Sequence, residues 1–410
     1  MSEWKKEKLG DYVEVLSGFA FKSKDFTSEG VPVIKIKNIS PPNVGLEDLS
    51  YVPMTIATQN PRYILSRGDV LIAMTGSHIN QIASVVGRVG RVRYDVLSVL
   101  NQRVGKIVNK DDKKSSLDFV YYYLSQYEVK VELAQKAGGA ANQANISPKD
   151  IKDLMFPCPP VETQHRIATI LSRYDSLIEN YQKQIKLLEE AAQRLYKEWF
   201  IDLHFPGHEN TNIIDGVPEG WEKKKVGNVF KTVLGGTPSR AKAGYWNGNI
   251  PWINSGEVNK SRIMHGSEFI TQEGLDHSAT KLMPRHTTVL AITGATLGQV
   301  SYTEIETCAN QSVVGIIDES NTINEYLFMY ISNNIQAIIN KATGGAQQHI
   351  NKDIVNDFPI IIPNLAVLNA FTDKIRGIFE IVKNNMTQLR LLTEARDRLL
   401  PKLMSGEIEV

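Results

Sequence analysis

Residues 163–200 read TQHRIATILSRYDSLIENYQKQIKLLEEAAQRLYKEWF, with no proline and no glycine. The apolar positions are Ile167, Leu171, Tyr174, Ile178, Tyr181, Ile185, Leu188, Ala192, Leu195 and Trp199. Their steps alternate between four and three, which is the seam of a coiled coil. A second seam stands 204 residues further on: Phe371, Ile375, Ile378, Val382, Asn385, Leu389, Leu392, Arg396, Leu399 and Leu403. It keeps register through two polar positions, Asn385 and Arg396, and has a weak spot at Gly377. Pro401 is expected to end or kink this second helix. Each helix would be about 57 Å long at a rise of 1.5 Å per residue. The shared register predicts that the two pair as a rigid spacer; the alternative is two unrelated surface helices.

Outward from the helices, the whole chain repeats. Trp4-Lys-Lys-Glu-Lys-Leu-Gly10 returns as Trp221-Glu-Lys-Lys-Lys-Val-Gly227, and Val31-Pro-Val-Ile34 as Ile250-Pro-Trp-Ile253. Val70-Leu-Ile-Ala-Met-Thr-Gly76 returns as Thr288-Val-Leu-Ala-Ile-Thr-Gly294. Asn101-Gln102 returns as Asn310-Gln311, and Gly138-Gly139-Ala140 as Gly344-Gly345-Ala346. The offset shrinks from 217 to 204 along the chain, so the halves differ by small loop insertions. Duplicated halves can pack about a pseudo-two-fold axis. Diverged halves suit a two-part target whose parts differ.

Outside the long helices, over roughly 1–155 and 211–360, the sequence is strand-rich. Short apolar runs at Val31–Ile36, Val70–Met74, Val289–Thr293 and Val313–Ile317 are bounded by Gly, Pro, Asn and Ser. One helical stretch follows in each half, near Leu117–Leu133 and Asn324–Asn340. Then come a Gly-rich polar loop (Ala137–Ser147, Thr343–Asn351) and a Pro-rich stretch leading into the long helix.

A chain of 410 residues implies two to four domains. Hydrophobic content of 42% and charged content of 22% describe a soluble globular protein. Cys158 and Cys308 fit neither a disulfide framework nor a metal cluster, so a reducing cytoplasm is expected. The start, Met1-Ser-Glu-Trp-Lys-Lys, is not expected to act as a signal peptide. With no run of about 18 apolar residues, no membrane contact is expected. A net charge of +1 is a poor match to a free-standing nucleic-acid binder. If the chain grips DNA, its positive charge is local or supplied by partners.

Catalytic signatures are missing from the string. It has no Gly-x-x-x-x-Gly-Lys-Ser/Thr loop and no Gly-x-Gly-x-x-Gly turn between a strand and a helix. An amino-methyltransferase needs Asn/Asp-Pro-Pro-aromatic, and Ser40-Pro-Pro-Asn43 and Cys158-Pro-Pro-Val161 lack it. The eight histidines are scattered, so no metal site is expected. No catalytic residues are assigned, which points to recognition.

The helix end Leu195-Tyr-Lys-Glu-Trp-Phe-Ile-Asp-Leu-His-Phe-Pro-Gly207 is similar to the central conserved region of the specificity (S) subunits of type I restriction-modification systems. The tail Arg398-Leu-Leu-Pro-Lys-Leu-Met-Ser-Gly-Glu-Ile408 resembles its C-terminal counterpart. Trp4–Gly18, Trp221–Thr237 and the strand ends Thr75-Gly76 and Thr293-Gly294 resemble the target-recognition domains. One departure stands out. The family opens its helices with Pro-Pro-x-x-Glu-Gln; Pro159-Pro160-Val-Glu162-Thr-Gln164 is close, while Pro363-Asn-Leu-Ala-Val-Leu368 lacks the acid and the amide.

The resemblance implies an α+β fold. Two strand-rich target-recognition domains, 1–155 and 211–360, alternate with helical regions, 156–210 and 361–410. The two long helices form an antiparallel coiled-coil spacer within an internal pseudo-two-fold repeat. It further implies a bipartite asymmetric site on double-stranded DNA, with one domain reading each half. The helices dock two adenine methyltransferase (M) subunits, and ATP-dependent restriction (R) subunits join. S-adenosylmethionine, ATP and Mg belong to those partners, and this chain carries no cofactor.

Base edges are read by amides, guanidinium groups and hydroxyls. The polar loops supply Asn142, Gln143 and Asn145 in one half and Gln347, Gln348 and His349 in the other. The alternative for these is an ordinary turn whose amides bond their own backbone. Lys35, Lys37, Arg240, Lys242 and Arg285 are phosphate candidates, each also readable as solvated surface charge. Asn101-Gln102 and Asn310-Gln311 fit buried structural amides as well as base readers, and Lys223-Lys-Lys225 reads as a solvated face. Trp199 and Phe200 fit either core packing or a docking surface; Leu403 and Met404 are their second copy. Spacer and docking roles fall on Ile167, Leu171, Ile185, Leu188, Leu195, Trp199, Phe371, Ile375, Leu389, Leu392 and Leu399.

Overall fold

The computed structural model describes residues 4–77, 86–138, 144–342 and 349–410. The chain forms two compact units. The first is Met1–Ile178 with Leu391–Val410, the second Glu179–Arg390.

In the first unit the main sheet runs in the order Val13–Ser17, Val104–Asn109, Val70–Ala73, Val89–Arg91, Asn43–Val44, Ile39–Ser40. Val70–Ala73 is buried throughout, which is why it reads as an unbroken apolar run. In the second unit the order is Lys231–Leu234, Val313–Ile317, Thr288–Ala291, Val300–Thr303, Arg262–Ile263. The first four strands of each sheet correspond, and all three pairings among them are antiparallel. A smaller sheet lies in each unit. There Leu100 pairs in parallel with Ile34, and Ala309 with Ile253. The repeated Trp segments also do the same job twice. Lys6–Lys8 pairs antiparallel with Met155–Pro157, and Glu222–Lys225 with Pro359–Ile362.

The expected strands fall within two residues of those found. The expected helical stretches each split in two: Leu117–Leu124 with Tyr127–Lys136, and Asn324–Asn333 with Ile335–Ile339. Gln126 turns extended between the first pair, and Asn334 leaves helical geometry between the second.

The long helices are Val161–Tyr196, continued by a wide turn over Lys197–Ile201, and Leu365–Ser405. Every seam position named above is buried or half-buried. In the first unit Ile167 and Leu171 share a core with Leu403 and Met404, and Asp175 meets Arg396. In the second unit Gln184 meets Asn385, and Trp199 packs on Phe371. In both, rising numbers on one helix meet falling numbers on the other, so the pairing is antiparallel. The two polar seam positions therefore have partners: Arg396 Nη1 donates to Asp175 at 2.9 Å and Asn385 Nδ2 to Gln184 at 3.1 Å. Gly377 is exposed, with open space where a Cβ would stand.

Of the two outcomes expected at Pro401, an end to the helix is not found; the helix runs on to Ser405. Proline deprives only the carbonyl four residues earlier of its donor. That residue, Asp397, is exposed, so water can serve it. The stop comes at Gly406, with φ of 75° and a return bond from Ile408 N to Lys402 O of 3.2 Å. The central helix ends on the corresponding bond, His204 N to Glu198 O at 2.8 Å.

The departure at the helix starts is compensated residue by residue. Gln164 is fully buried and accepts from Ser116 N at 2.9 Å while donating to the Pro159 carbonyl at 3.0 Å. In the second unit Leu368 fills that slot within the apolar core. The amide matching Ser116 N is Ile323 N, and Asp318 accepts from it at 2.8 Å. Asn364 stands where Pro160 does and caps the helix, accepting from Val367 N at 3.0 Å.

Trp199 is 5% exposed and Phe200 half-buried; they pack on Phe371, Tyr326 and Trp221. Leu403 and Met404 are buried likewise in the first unit. Both pairs close a core where a long helix ends.

Candidate nucleic-acid interface

The repeated Thr-Gly segment ends the central strand of each main sheet. Its position is set by two neighbours. In the first unit Met74 N donates to the Arg103 carbonyl at 3.0 Å, and Ile146 N donates to the Met74 carbonyl at 2.9 Å. In the second unit Ile292 N donates to the Ser312 carbonyl at 2.9 Å, and Ile350 N to the Ile292 carbonyl at 3.0 Å. Thr75 then pairs antiparallel with Asn145, and Thr293 with His349. Three chain segments thus converge twice in the same pattern. They present Thr75, Arg103 and Asn145 in the first unit and Thr293, Ser312 and His349 in the second.

Two glycines let the platform close. A Cβ on Gly18 would stand 2.2 Å from the Asn101 carbonyl oxygen, and one on Gly235 would stand 2.1 Å from that of Asn310. Only glycine permits this approach. It holds the Asn-Gln turn against the first strand of the sheet. The turn's own amides are engaged: Asn101 Oδ1 accepts from Arg103 N at 3.5 Å, and Asn310 Oδ1 from Ser312 N at 3.1 Å. Gln311 Oε1 accepts from the Thr237 hydroxyl at 2.6 Å, while Gln102 is exposed.

On the first platform the side chains form a chain of contacts. Thr75 Oγ1 donates to Asn145 Oδ1 at 2.8 Å, and Arg103 Nη1 donates to Thr75 Oγ1 at 3.4 Å. Asn145 is half-buried and Arg103 exposed; His349 on the second platform is exposed. Asn142, Gln143, Gln347 and Gln348 lie outside the described residues. Arg103 was not among the residues expected from the sequence. The available signal was its place directly after a repeated Asn-Gln pair, where the second copy has Ser312.

The phosphate candidates divide. Lys35 Nζ donates to Ser50 Oγ at 2.8 Å and lies 4.3 Å from the Phe26 ring centre. Burial, with Lys37 nearby, lowers its pKa. Lys37 is ion-paired with Asp48. Arg240 grips both carboxylate oxygens of Glu268, at 2.5 and 3.0 Å, and stacks 3.6 Å from the Trp246 ring centre. Lys242 donates to the Tyr245 hydroxyl at 2.8 Å, which raises its pKa. Arg285 is exposed and carries no ion pair among the described residues. It borders a cleft of about 570 Å³ shared with Lys231, Lys281 and His286, but also with Asp318 and Glu319. The Lys223-Lys-Lys225 side chains are exposed, and Lys225 pairs with Asp357 at 2.6 Å. Among the described residues no group of His, Cys, Asp and Glu could hold a metal ion, and no helix is long and apolar enough to cross a membrane.

One polar platform built twice, with different side chains on a common frame, defines a two-headed recognition protein. The chain belongs to the type I restriction modification DNA specificity family, whose model matches residues 1–190 and 218–390. It is similar to the MjaIX specificity subunit of Methanocaldococcus jannaschii. The two are 26% identical over 421 residues, spanning 100% of this chain and 94% of that one. It is also similar to the EcoR124I/EcoR124II specificity subunit of Escherichia coli, at 25% identity over 69% of this chain and 68% of that one. Its fold is that of the type I S subunit from M. genitalium, with a TM-score of 0.64 at 16% identity, covering 98% and 96% of the two chains. These are specificity subunits, a non-catalytic class.

Proposed function

We propose that this chain reads a bipartite, asymmetric site on double-stranded DNA, one unit per half-site. It directs two adenine methyltransferase subunits, and with them ATP-dependent restriction subunits, to that site. The observation that carries this reading is the duplicated strand-end platform, which repeats the two backbone bonds at Met74 and Ile292 and differs in two of its three side chains. A frame held constant with varied polar groups is what two readers of unlike sequences require. S-adenosylmethionine, ATP and Mg serve the partner subunits, in the cytoplasm. The two long helices, without Pro or Gly from 163 to 200, fix the non-specific gap between half-sites.

The net charge of +1 sets a second expectation. Phosphate neutralisation dominates affinity and falls steeply with salt, so the chain alone binds DNA weakly and the complex with its methyltransferase binds far more tightly at one fixed salt concentration. The test is selection from a random-sequence duplex pool by the co-purified complex, followed by sequencing. A two-part motif with a fixed gap is expected. Retention without a motif, or none at all, overturns the proposal and leaves a protein-binding scaffold. The chain alone is expected not to retain S-adenosylmethionine in equilibrium dialysis; retention would point instead to a DNA-modifying enzyme.

A further inference from the structure

We infer that Arg103 is a base-reading residue of the first unit, taking a guanine, and that the matching position in the second unit, Ser312, reads its half-site without a guanidinium. The inference rests on the two-headed reading above and deepens it.

Three observations point to Arg103. First, it has no acidic partner among the described residues. Arg67 and Arg91 of this unit are ion-paired, with Asp95 at 3.3 Å and Asp118 at 2.8 Å. Arg62, Arg166, Arg173 and Arg398 carry no ion pair among the described residues either, but of the unpaired ones only Arg103 stands on the platform. An exposed guanidinium left without a carboxylate keeps its charge and donors for a ligand.

Second, it is aimed. A single bond of 3.4 Å to Thr75 Oγ1 ties one nitrogen to the strand end. The remaining donors of its planar fork stay available. Thr75 in turn donates to Asn145 Oδ1, so the Asn145 amide keeps its two N–H donors. The platform therefore offers a cluster of donors. Guanine presents two acceptors, O6 and N7, on its major-groove edge, and an arginine fork matches them.

Third, the position varies between the units while its frame does not. Met74 N bonds the Arg103 carbonyl as Ile292 N bonds that of Ser312. A residue fixed in place by its backbone and free in its side chain is where two readers of different sequences can diverge.

A phosphate contact is the competing role, and it predicts a different result. Loss of a phosphate contact weakens all sequences about equally, whereas loss of a base contact relaxes one position. The experiment compares the wild-type complex with Arg103→Ala and Arg103→Lys in the random-pool selection. A wild-type complex without a bipartite motif defeats the two-headed reading itself. Given that motif, both variants are expected to lose preference for one guanine in one half-site, by roughly 10- to 100-fold, and to keep the other half-site and the gap. Lysine keeps the charge without the fork, so its failure to restore the guanine separates base reading from charge. The retained half-site shows that the variant complex is folded and bound. Uniform weakening with an unchanged motif, rescue by Arg103→Lys, or an affected half-site lacking guanine overturns the inference.

Discussion

At one matched position of the long helices the first unit buries a charge, Asp175, and the second a ring, Phe379. In the first, Asp175 is 4% exposed and accepts from Tyr122 Oη at 2.7 Å and Arg396 Nη1 at 2.9 Å. Carried across the repeat, those three positions become Phe379, Met329 and Ala192. Phe379 packs 5.2 Å from the Tyr302 ring and 6.0 Å from the Phe328 ring. The second unit moves its buried ion pair into the globule, between Arg262 and Glu304. It reaches the helix through the Arg262 guanidinium, 4.1 Å from the Phe379 ring centre, and through Lys383 Nζ, 3.7 Å from the Glu304 carboxylate. Duplication has kept the positions at which elements meet and exchanged the chemistry that satisfies them. The buried charges at Asp175 and at the Arg262–Glu304 pair are each accompanied by their partners.

The largest break in this comparison is Asp175→Ala. It takes the acceptor from the Tyr122 hydroxyl and from Arg396 Nη1, leaving Arg396 only its bonds to Asp397, and about 3–5 kcal/mol of stability is expected to go. Chemical denaturation gives the total, and faster hydrogen exchange over 117–136 assigns it to the first unit. Transplanting the second unit's solution, Asp175→Phe with Arg396→Ala and Tyr122→Met, is expected to restore most of that loss. An apolar replacement of a buried pair is often neutral.

A smaller effect belongs to the helix starts. Gln164→Leu copies the residue the second unit uses, yet in the first unit it strands Ser116 N, at a cost of about 1–3 kcal/mol. Asp318→Ala is expected to do comparable damage in the second unit, since it strands Ile323 N. Equal tolerance of both by thermal denaturation would remove the compensation argued here. Asn364→Ala removes only a cap, and about 1 kcal/mol is expected.

The mildest contrast is in thiol chemistry. Burial pushes the Cys308 thiol up to about 11, while Cys158 is only half-buried. The thiolate reacts, so a raised pKa lowers its fraction at neutral pH. Cys158 is expected to label first at pH 8, with Cys308 reacting appreciably only as pH approaches 11 or on unfolding. Mass spectrometry of the labelled peptides reads the order.

Much of this was legible in the string because burial has a period. All twenty seam positions face inward, and the polar ones kept register because each found a partner on the facing helix. What stayed hidden depended on partners distant in sequence. Lys37 pairs with Asp48 and Arg240 with Glu268, and neither link is visible before the strands are placed. Reading lysines and arginines singly as phosphate ligands therefore overlooked Arg103, whose distinction is its place beside Thr75 at the strand end. Pro401 does not end its helix for a related reason: its cost falls on one carbonyl, and that carbonyl belongs to an exposed residue.

The central claim is that one chain reads two unlike half-sites and brings methylation to them. Its most direct test is co-expression with the type I methyltransferase subunit from the same source, then mapping of methylated adenines across the host genome. The account predicts a single bipartite motif with a fixed gap and one methylated adenine on each strand, the two halves differing in sequence. No new methylation from soluble, co-purifying proteins, or methylation at a continuous motif without a gap, would contradict it.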